Sequence, residues 1–386
     1  MADELAFVLI NPHTIAKSRT GGVIARFLSR TGLELAAARM FAPSEALVNE
    51  YARIVRENED HEPAVRQLLS DYILNSYAPN SVQGLPHRVL MLLLEGEDAI
   101  RKVRDMAGSV TTGSGDTIRD TFGDYVVDEN NQVQYFEPAV LVGTNREDTI
   151  KTLNIWARYS ESDGGIIQNA VDVSKKQEGW ERTLVLIKPD NFRFPSSRPG
   201  NIIDILSRSG LRIIAAKVHC MSVVQAETFY QPIRQGLCDK MKNRVKQKSG
   251  MVLKTEFNIE IPAHITEFLE KHLGPLVGDE QFNQIIQFMT GYYPTQCTDD
   301  EKHKDGRHKC LALVYGGVNA IKIIRCLLGT TDPSKASLGS VRRELGSDIM
   351  VNAAHASDSV KSADRELGII QVEKDTISEW VKRYYG

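Results

Sequence analysis

The chain has no excess of positive charge, few cysteines and no long apolar run, and each shortage removes a class of function. Over 386 residues the formal net charge is −3, so there is no basic footprint to draw the protein to nucleic acid. Cysteine occurs five times, at Cys220, Cys238, Cys297, Cys310 and Cys326. That odd number fits free thiols in a reducing compartment better than a disulfide framework. No stretch approaches the roughly 20 apolar residues that cross a bilayer. The opening Met-Ala-Asp-Glu-Leu-Ala-Phe has no basic region ahead of an apolar one, so no secretory leader is expected. The expectation is a cytoplasmic protein without membrane or nucleic-acid partners. Histidine is also sparse, and none occurs between His87 and His219, which limits where imidazole chemistry can take place.

What is present is ordinary for a globular protein, with 42% apolar and 25% charged residues and length for more than one core. The informative feature is an internal repeat. Phe7-Val-Leu-Ile-Asn11-Pro12 matches Leu184-Val-Leu-Ile-Lys188-Pro189, and Leu28-Ser-Arg-Thr-Gly32-Leu33 matches Leu206-Ser-Arg-Ser-Gly210-Leu211. Tyr51 answers Tyr230. Ala99-Ile-Arg-Lys-Val-Arg104 answers Ala320-Ile-Lys-Ile-Ile-Arg325, each followed by a glycine, and Arg119 answers Arg342. Blocks in the same order mark a tandem duplication. In each copy a short apolar strand closed by proline leads to a helix with apolar residues at helical spacing, as at Val23, Ile24, Phe27 and Leu28. A glycine stops that helix and a second strand follows. Strands alternating with helices predict a sheet covered by helices. The expected boundaries are 1–160 for the first copy, 161–181 for a linker and 182–386 for the second, with a helical insertion at about 231–281.

The second copy carries a candidate centre. An apolar run at Ile349 to Val351, read as a strand, leads into Asn352-Ala353-Ala354-His355-Ala356-Ser357-Asp358-Ser359, with Glu366 further on. A nucleophilic histidine needs a carboxylate to fix its tautomer and cations to hold a transferring phosphoryl group. Glu366 can serve as the carboxylate, and Arg325, Arg342 and Lys188 as the cations. Thr331 offers a hydroxyl, Tyr230 a phenol, and Asn352 an amide for a sugar hydroxyl. Taken singly these residues would be a solvated histidine and surface arginines; the ordered combination is what points to phosphoryl transfer.

That combination resembles the nucleoside diphosphate kinase family over most of the chain. Lys188-Pro189-Asp190, Tyr230, Arg325 before Cys326-Leu327-Leu328-Gly329, Thr331 in Gly329-Thr-Thr-Asp-Pro333, and Arg342 match the family's motifs. Its signature around the histidine stands at Asn352–Ser359, with Glu366 at the family's spacing. The resemblance implies two tandem ferredoxin-like α/β domains, each with an antiparallel four-stranded sheet. It implies ping-pong transfer of a γ-phosphate from a nucleoside triphosphate such as ATP, through His355, to a nucleoside diphosphate. Mg2+ would be carried on the nucleotide phosphates, so no metal ligands are assigned. Lys188, Tyr230, Glu366 and His355 are the expected catalytic residues. Lys188, Arg325, Thr331, Arg342, Asn352 and Ser357 would meet the nucleotide, with Ile285 and Ile349 near the base. Family members assemble into oligomers, so an oligomer or an intramolecular pseudo-dimer is expected.

Two departures stand out. Ala356 replaces the glycine after the histidine, and the insertion at 231–281 changes what is a wall of the cleft in the family. The first copy lacks the chemistry: Asn11 stands for the lysine, Leu141 for the histidine, Thr152 for the glutamate and Val110 for the threonine. Tyr51, Arg104 and Arg119 remain. A non-catalytic nucleotide-binding regulator and a protein-histidine phosphodonor or scaffold are the alternative readings of the whole chain. The cluster Cys297, His303, His308 and Cys310 matches no common zinc spacing and reads as a charged loop.

Overall fold

The fold was analysed in a computed structural model that describes residues 3–111, 113, 115–130, 132–173 and 177–386. The first copy runs β1 (Asp3–Ile10), α1 (Thr20–Thr31), β2 (Glu34–Phe41), α2 (Glu45–Glu57), α3 (Pro63–Ser76), β3 (Val89–Glu97), α4 (Ala99–Ala107), β4 (Val140–Val142) and α5 (Arg146–Arg158). The second runs β5 (Trp180–Ile187), α6 (Arg198–Ser207), β6 (Arg212–His219), α7 (Val223–Phe257), α8 (Ala263–Thr290), β7 (Cys310–Val318), α9 (Ala320–Leu328), α10 (Val341–Leu345), β8 (Ala354–Ala356) and α11 (Val360–Ile370). A further helix, α12 (Ile377–Tyr385), follows. The sheet orders are β2-β3-β1-β4 and β8-β5-β7-β6. Each is a ferredoxin-like arrangement with the first and third strands at the centre. The chain is therefore two tandem ferredoxin-like α/β copies.

The central strands form where apolar runs are continuous. Leu5 to Ile10 and Leu184 to Ile187 are fully buried, as strands covered by helices must be. Each run stops just before a proline, Pro12 or Pro189, which has no N–H for a ladder and instead opens a helical turn. Gly32 and Gly210, both at φ +68°, end α1 and the turn after α6 in the left-handed region that glycine enters without strain.

Residues Met1–Val218 and Leu311–Gly386 form one compact unit and His219–Cys310 another. In the first unit α1 crosses α6 at paired glycines. A Cβ on Gly21 would lie 2.6 Å from the Gly200 oxygen, and one on Gly200 would lie 2.3 Å from the Gly21 oxygen. The backbones touch, so no larger residue fits at either position. The two copies also share an element. Helix α12 follows the second copy in sequence, yet Ile377 and Val381 sit in the core of the first with Leu5, Phe7, Phe41 and Trp156. Tyr385 donates its hydroxyl to the Leu5 oxygen at 2.6 Å and accepts from the Leu5 N–H at 3.2 Å.

The second unit is an antiparallel helical pair, α7 and α8. The insertion expected at 231–281 is larger in outline, because it extends the helix that carries Tyr230 instead of adding a separate element. Gly274 and Gly278 allow the helices to approach closely: a Cβ there would lie 2.6 Å from the Lys242 Cα and 2.5 Å from the Cys238 Cα. The first copy makes the corresponding pair with the shorter α2 and α3.

Three further differences have physical causes. Ile349 to Val351 is a bend rather than a strand, because the Asp348 carboxylate takes the N–H groups of Met350 and Val351 at 2.7 and 2.8 Å. Such local side-chain bonds compete with a ladder. At the corresponding place the first copy forms an unanticipated hairpin, Asp124–Val127 with Val133–Glu137. The expected linker is tied down at Gly165, whose N–H donates to the Met40 oxygen, and at Ile167, whose N–H donates to the Ile214 oxygen; its residues 174–176 lie outside the described residues. Among the described residues no helix is long and apolar enough to cross a membrane.

Candidate active site

The centre of the second copy is built on the edge strand β8. Its three residues pair antiparallel with β5, placing His355 opposite Leu186. Alternation along the strand buries Ala354 and Ala356 on one face and leaves the imidazole on the other, with its side chain 25% exposed. The residue in the left-handed region is Ala353, at φ +68°. Ala356 lies in the strand and does not share that conformation, so the methyl group after the histidine is accommodated. Ala353 is held from both sides: its oxygen accepts from the Lys188 N–H at 3.0 Å and from the Asn191 amide at 2.8 Å.

Helix α11 starts where Ser359 caps it by accepting from the Ser362 N–H at 3.1 Å. Glu366 lies on its buried face. One carboxylate oxygen, Oε2, is 3.0 Å from His355 Nε2 and accepts the Ser357 hydroxyl at 2.7 Å. The other is 3.3 Å from the Arg365 guanidinium. A carboxylate on Nε2 favours the tautomer protonated there, which leaves the ring lone pair on Nδ1.

Lys188, just beyond β5, is buried and donates to the Met350 oxygen at 3.1 Å and to Asn352 Oδ1 at 2.7 Å. Burial, reinforced by the charge of Arg342, pushes its pKa down to about 8. Asn352 is also buried, and its amide donates to the oxygens of Thr331 (3.2 Å) and Ile349 (2.8 Å). Its place is that of a bracket between three loops rather than an open sugar contact. Arg342, from α10, donates to the Gly329 oxygen at 2.8 Å and to the Ala354 oxygen at 3.1 Å, so it ties the glycine after α9 to the strand of His355. Arg325 and Thr331 are exposed. The Asp358 carboxyl is held low first by the Ser362 hydroxyl and then, against partial burial, by Ser359 and the Arg325 charge. Ile349 is exposed. Tyr230 and Ile285 belong to the helical unit, where Tyr230 is buried beside Phe229 and Ile285 half-buried.

The structure therefore brings together His355, Glu366, Ser357, Lys188, Asn352, Thr331 and Arg342. Sequence reasoning placed Ser357 on the nucleotide, whereas its hydroxyl goes to Glu366. It also passed over Asn191, whose place straight after Lys188-Pro189-Asp190 was the available signal.

The first copy repeats the frame without the chemistry. Leu141 pairs with Leu9 where His355 pairs with Leu186. Ala139 has φ +61°, like Ala353, and Arg119 donates to the oxygens of Gly108 and Val140, as Arg342 does to Gly329 and Ala354. The remaining space holds core. Asn11 donates to Glu137 at 3.0 Å and accepts the Tyr77 hydroxyl at 2.7 Å, while Trp156 meets both Tyr51 and Tyr77 in T-shaped contacts and the two tyrosines lie tilted to each other. Arg104 is turned to the Thr144 oxygen.

Among the described residues no group of three or more His, Cys, Asp or Glu is arranged to hold a metal ion. Cys310 instead gives its thiol to the His219 oxygen and Cys297 gives its own to the Tyr293 oxygen.

Comparison with known proteins agrees with this frame. The sequence model "Nucleoside diphosphate kinase" matches residues 4–133, 181–243 and 233–376, which covers both copies. A nucleoside diphosphate kinase of Archaeoglobus fulgidus is 27% identical over 202 residues, 52% of this chain and 93% of that protein. One of Thermobifida fusca is 28% identical over 187 residues, 48% of this chain and 93% of that protein. One of Streptomyces coelicolor is 31% identical over 137 residues, 36% of this chain and 86% of that protein. With both copies matched and more than half of its length covered, the chain belongs to the nucleoside diphosphate kinase family.

Proposed function

We propose that the chain is a nucleoside diphosphate kinase in which residues 182–386 carry out catalysis and residues 1–160 form a degenerate partner. The observation that carries this reading is the His355–Glu366–Ser357 arrangement. Glu366 takes Nε2 at 3.0 Å and is itself fixed by Ser357 at 2.7 Å, so Nδ1 is the nitrogen that would react.

In the first half-reaction the Nδ1 lone pair attacks the γ-phosphorus of a nucleoside triphosphate. The bond to the bridging oxygen breaks, and its electron pair leaves on the β-phosphate of the departing diphosphate. In the second, a terminal β-phosphate oxygen of another nucleoside diphosphate attacks the phosphorus and the P–N bond breaks, returning the electron pair to Nδ1. Glu366 stabilises the positive charge of the phosphorylated ring through the Nε2 proton. Lys188, Arg325 and Arg342 supply the charge that phosphates need, and such transfer depends on positioning and electrostatics. Mg2+ carried by the nucleotide would neutralise the phosphate oxygens, in keeping with this set of cations and with the assignment of no protein metal ligand. We include Thr331 and Ile349 in the nucleotide site, and association of the chain beyond the two copies.

The test is to incubate the purified protein and His355→Ala with γ-labelled ATP and Mg2+, then to add GDP. The expected result is acid-labile label on the native protein alone, discharged rapidly to GTP. Label that persists in the presence of GDP points instead to a phosphodonor for a protein. Absence of label from a folded protein that still binds ATP leaves a nucleotide-binding regulator and overturns the kinase reading.

A further inference from the structure

Arg39 and Lys217 hold corresponding places in the two copies: Arg39 follows Ala36-Ala37-Ala38, and Lys217 follows Ile214-Ala215-Ala216. Both are cations buried within a strand, 3% and 4% exposed. A buried cation is tolerated where several oxygens satisfy it. Lys217 donates to the Ile370 oxygen at 3.2 Å and to the Gln371 oxygen at 2.8 Å. These carbonyls close α11, the helix of Glu366, where a cation also meets the negative end of the helix dipole. Gln371 then turns the chain through the left-handed region at φ +51°.

Arg39, in the other copy, receives the chain next. Its guanidinium donates to the Glu373 oxygen at 3.0 Å, the Lys374 oxygen at 3.2 Å and the Ser160 oxygen at 2.9 Å. Asp375 stands 3.8 Å from it and caps α12 by accepting from the N–H groups of Ile377 and Ser378 at 2.8 and 3.2 Å. Beyond that, α12 is fixed in the first copy by Ile377, Val381 and the Tyr385–Leu5 hydrogen bonds. The chain leaving Glu366 is thus gripped first by its own copy and then by the other. Ile370 lies one helical turn beyond Glu366, so the grip is about 5 to 6 Å along the axis from the residue that orients the imidazole.

We propose that Lys217 and Arg39 are positioning residues for phosphoryl transfer, and that the copy without a nucleophile acts as an anchor for the Glu366 helix. This rests on the reading of His355 as the phosphoryl acceptor. Removing the Arg39 guanidinium leaves the oxygens of Ser160, Glu373 and Lys374 without that donor, in a buried place at Ser160 and a part-buried one at the other two. The segment then relaxes toward water, and the end of α11 relaxes with it. An error of about 1 Å in a reacting geometry can cost on the order of a hundredfold in rate, so a partial displacement should be visible in kcat.

The test compares the native protein with Arg39→Met, Arg39→Lys and the milder Tyr385→Phe. Each is followed by steady-state kinetics and by the ring-nitrogen shifts of 15N-labelled His355, assigned through His355→Ala. In Arg39→Met the expected result is a fall in kcat of about tenfold with KM for the nucleotide unchanged, and a change in the His355 Nε2 shift. Arg39→Lys, which supplies the cation the second copy uses, should recover much of both, and Tyr385→Phe should move both in the same direction by less. A folded Arg39→Met with native kcat and native His355 shifts overturns the proposal, as does a loss of rate that only follows the folded fraction. Should Arg39→Met fail to fold, Tyr385→Phe decides by the same two readouts. If the native protein forms no phosphohistidine, the kinase reading falls, while the His355 shifts of the variants still decide whether the anchor exists.

Discussion

Leu141 and His355 are the same position in two copies of one fold. Each is the middle residue of a three-residue edge strand, opposite Leu9 in one sheet and Leu186 in the other. Each stands two residues after an alanine in the left-handed region, Ala139 or Ala353. The two copies share this frame, while the side chain at the position is an imidazole in one and part of the core in the other. Restoring the imidazole should therefore not restore activity. In a His355→Ala background, Leu141→His is expected to take no acid-labile label from γ-labelled ATP. Because Leu141 is buried, the substitution should also destabilise the protein by about 2–4 kcal/mol, read from chemical denaturation. Label on this double variant would mean that the first copy retains an open nucleotide site.

The Glu366 carboxylate meets His355, Ser357 and Arg365, and the effects of its own charge and of the Ser357 hydrogen bond should separate by size. Glu366→Gln keeps the shape but loses the charge that stabilises the imidazolium, so phosphohistidine formation should slow by about a hundredfold. Ser357→Ala removes one hydrogen bond to a charged group, worth about 1.5–3 kcal/mol, and should slow it roughly tenfold. Single-turnover labelling measures both. Equal effects would mean that Ser357 does more than hold the carboxylate.

The depressed pKa of Lys188 sets an alkaline limit on the proposed phosphoryl transfer. The ammonium is charged below about 8 and neutral above it, so kcat/KM for the nucleotide should fall as pH rises through that value. Stability should move the other way. Between about 8 and the ordinary lysine value near 10.5 the unfolded chain binds more protons than the folded one, so stability rises with pH across that window. Lys188→Met should flatten both profiles, and a variant that keeps the alkaline fall would assign it to another group.

The crossing of α1 and α6 admits no side chain at Gly21 or Gly200. Gly200→Ala places a methyl group 2.3 Å from the Gly21 oxygen and 2.4 Å from the Ala25 nitrogen, and both are backbone atoms that cannot rotate away. A loss of at least about 1–3 kcal/mol is expected from overpacking. Gly210→Ala is a control of a different kind: no atom lies near a Cβ there, but its φ is +68°, so it should cost about 1 kcal/mol from strain alone. A Gly200→Ala protein with an unchanged denaturation midpoint would show that the helices do not cross closely.

The fold was readable wherever one copy confirmed the other. Buried runs such as Leu184–Ile187, the glycine stops at Gly32 and Gly210, and the helix around Val23 and Phe27 carry local signals twice. The pairing of His355 with Glu366 was readable because strand, cap and helix follow within one short stretch. What the sequence concealed is held by single long-range contacts. The role of Asn352 as a bracket depends on Thr331 and Lys188, which are distant in sequence. The bend at Ile349 to Val351 depends on the Asp348 carboxylate competing for N–H groups, which an apolar run does not announce. Ser357 was assigned by its neighbourhood in the motif, and its hydroxyl points to the nearer carboxylate. The docking of α12 on the first copy left no trace in the repeat, because no counterpart of α12 precedes the second copy.

That docking has a consequence for the order in which the protein can be made. The core of the first copy includes Ile377 and Val381, and Tyr385 closes on Leu5 across 380 residues. The copy that is synthesised first therefore emerges with part of its apolar surface uncovered. It stays so while the entire second copy, helical unit included, is translated. Closing so long a loop adds little to the equilibrium cost, since the entropy grows only with the logarithm of length. It does delay completion, because contacts between distant residues form late. Until α12 arrives, the strand and helix surfaces that it covers are exposed to other chains, and the half-made protein is the form most in need of protection from aggregation.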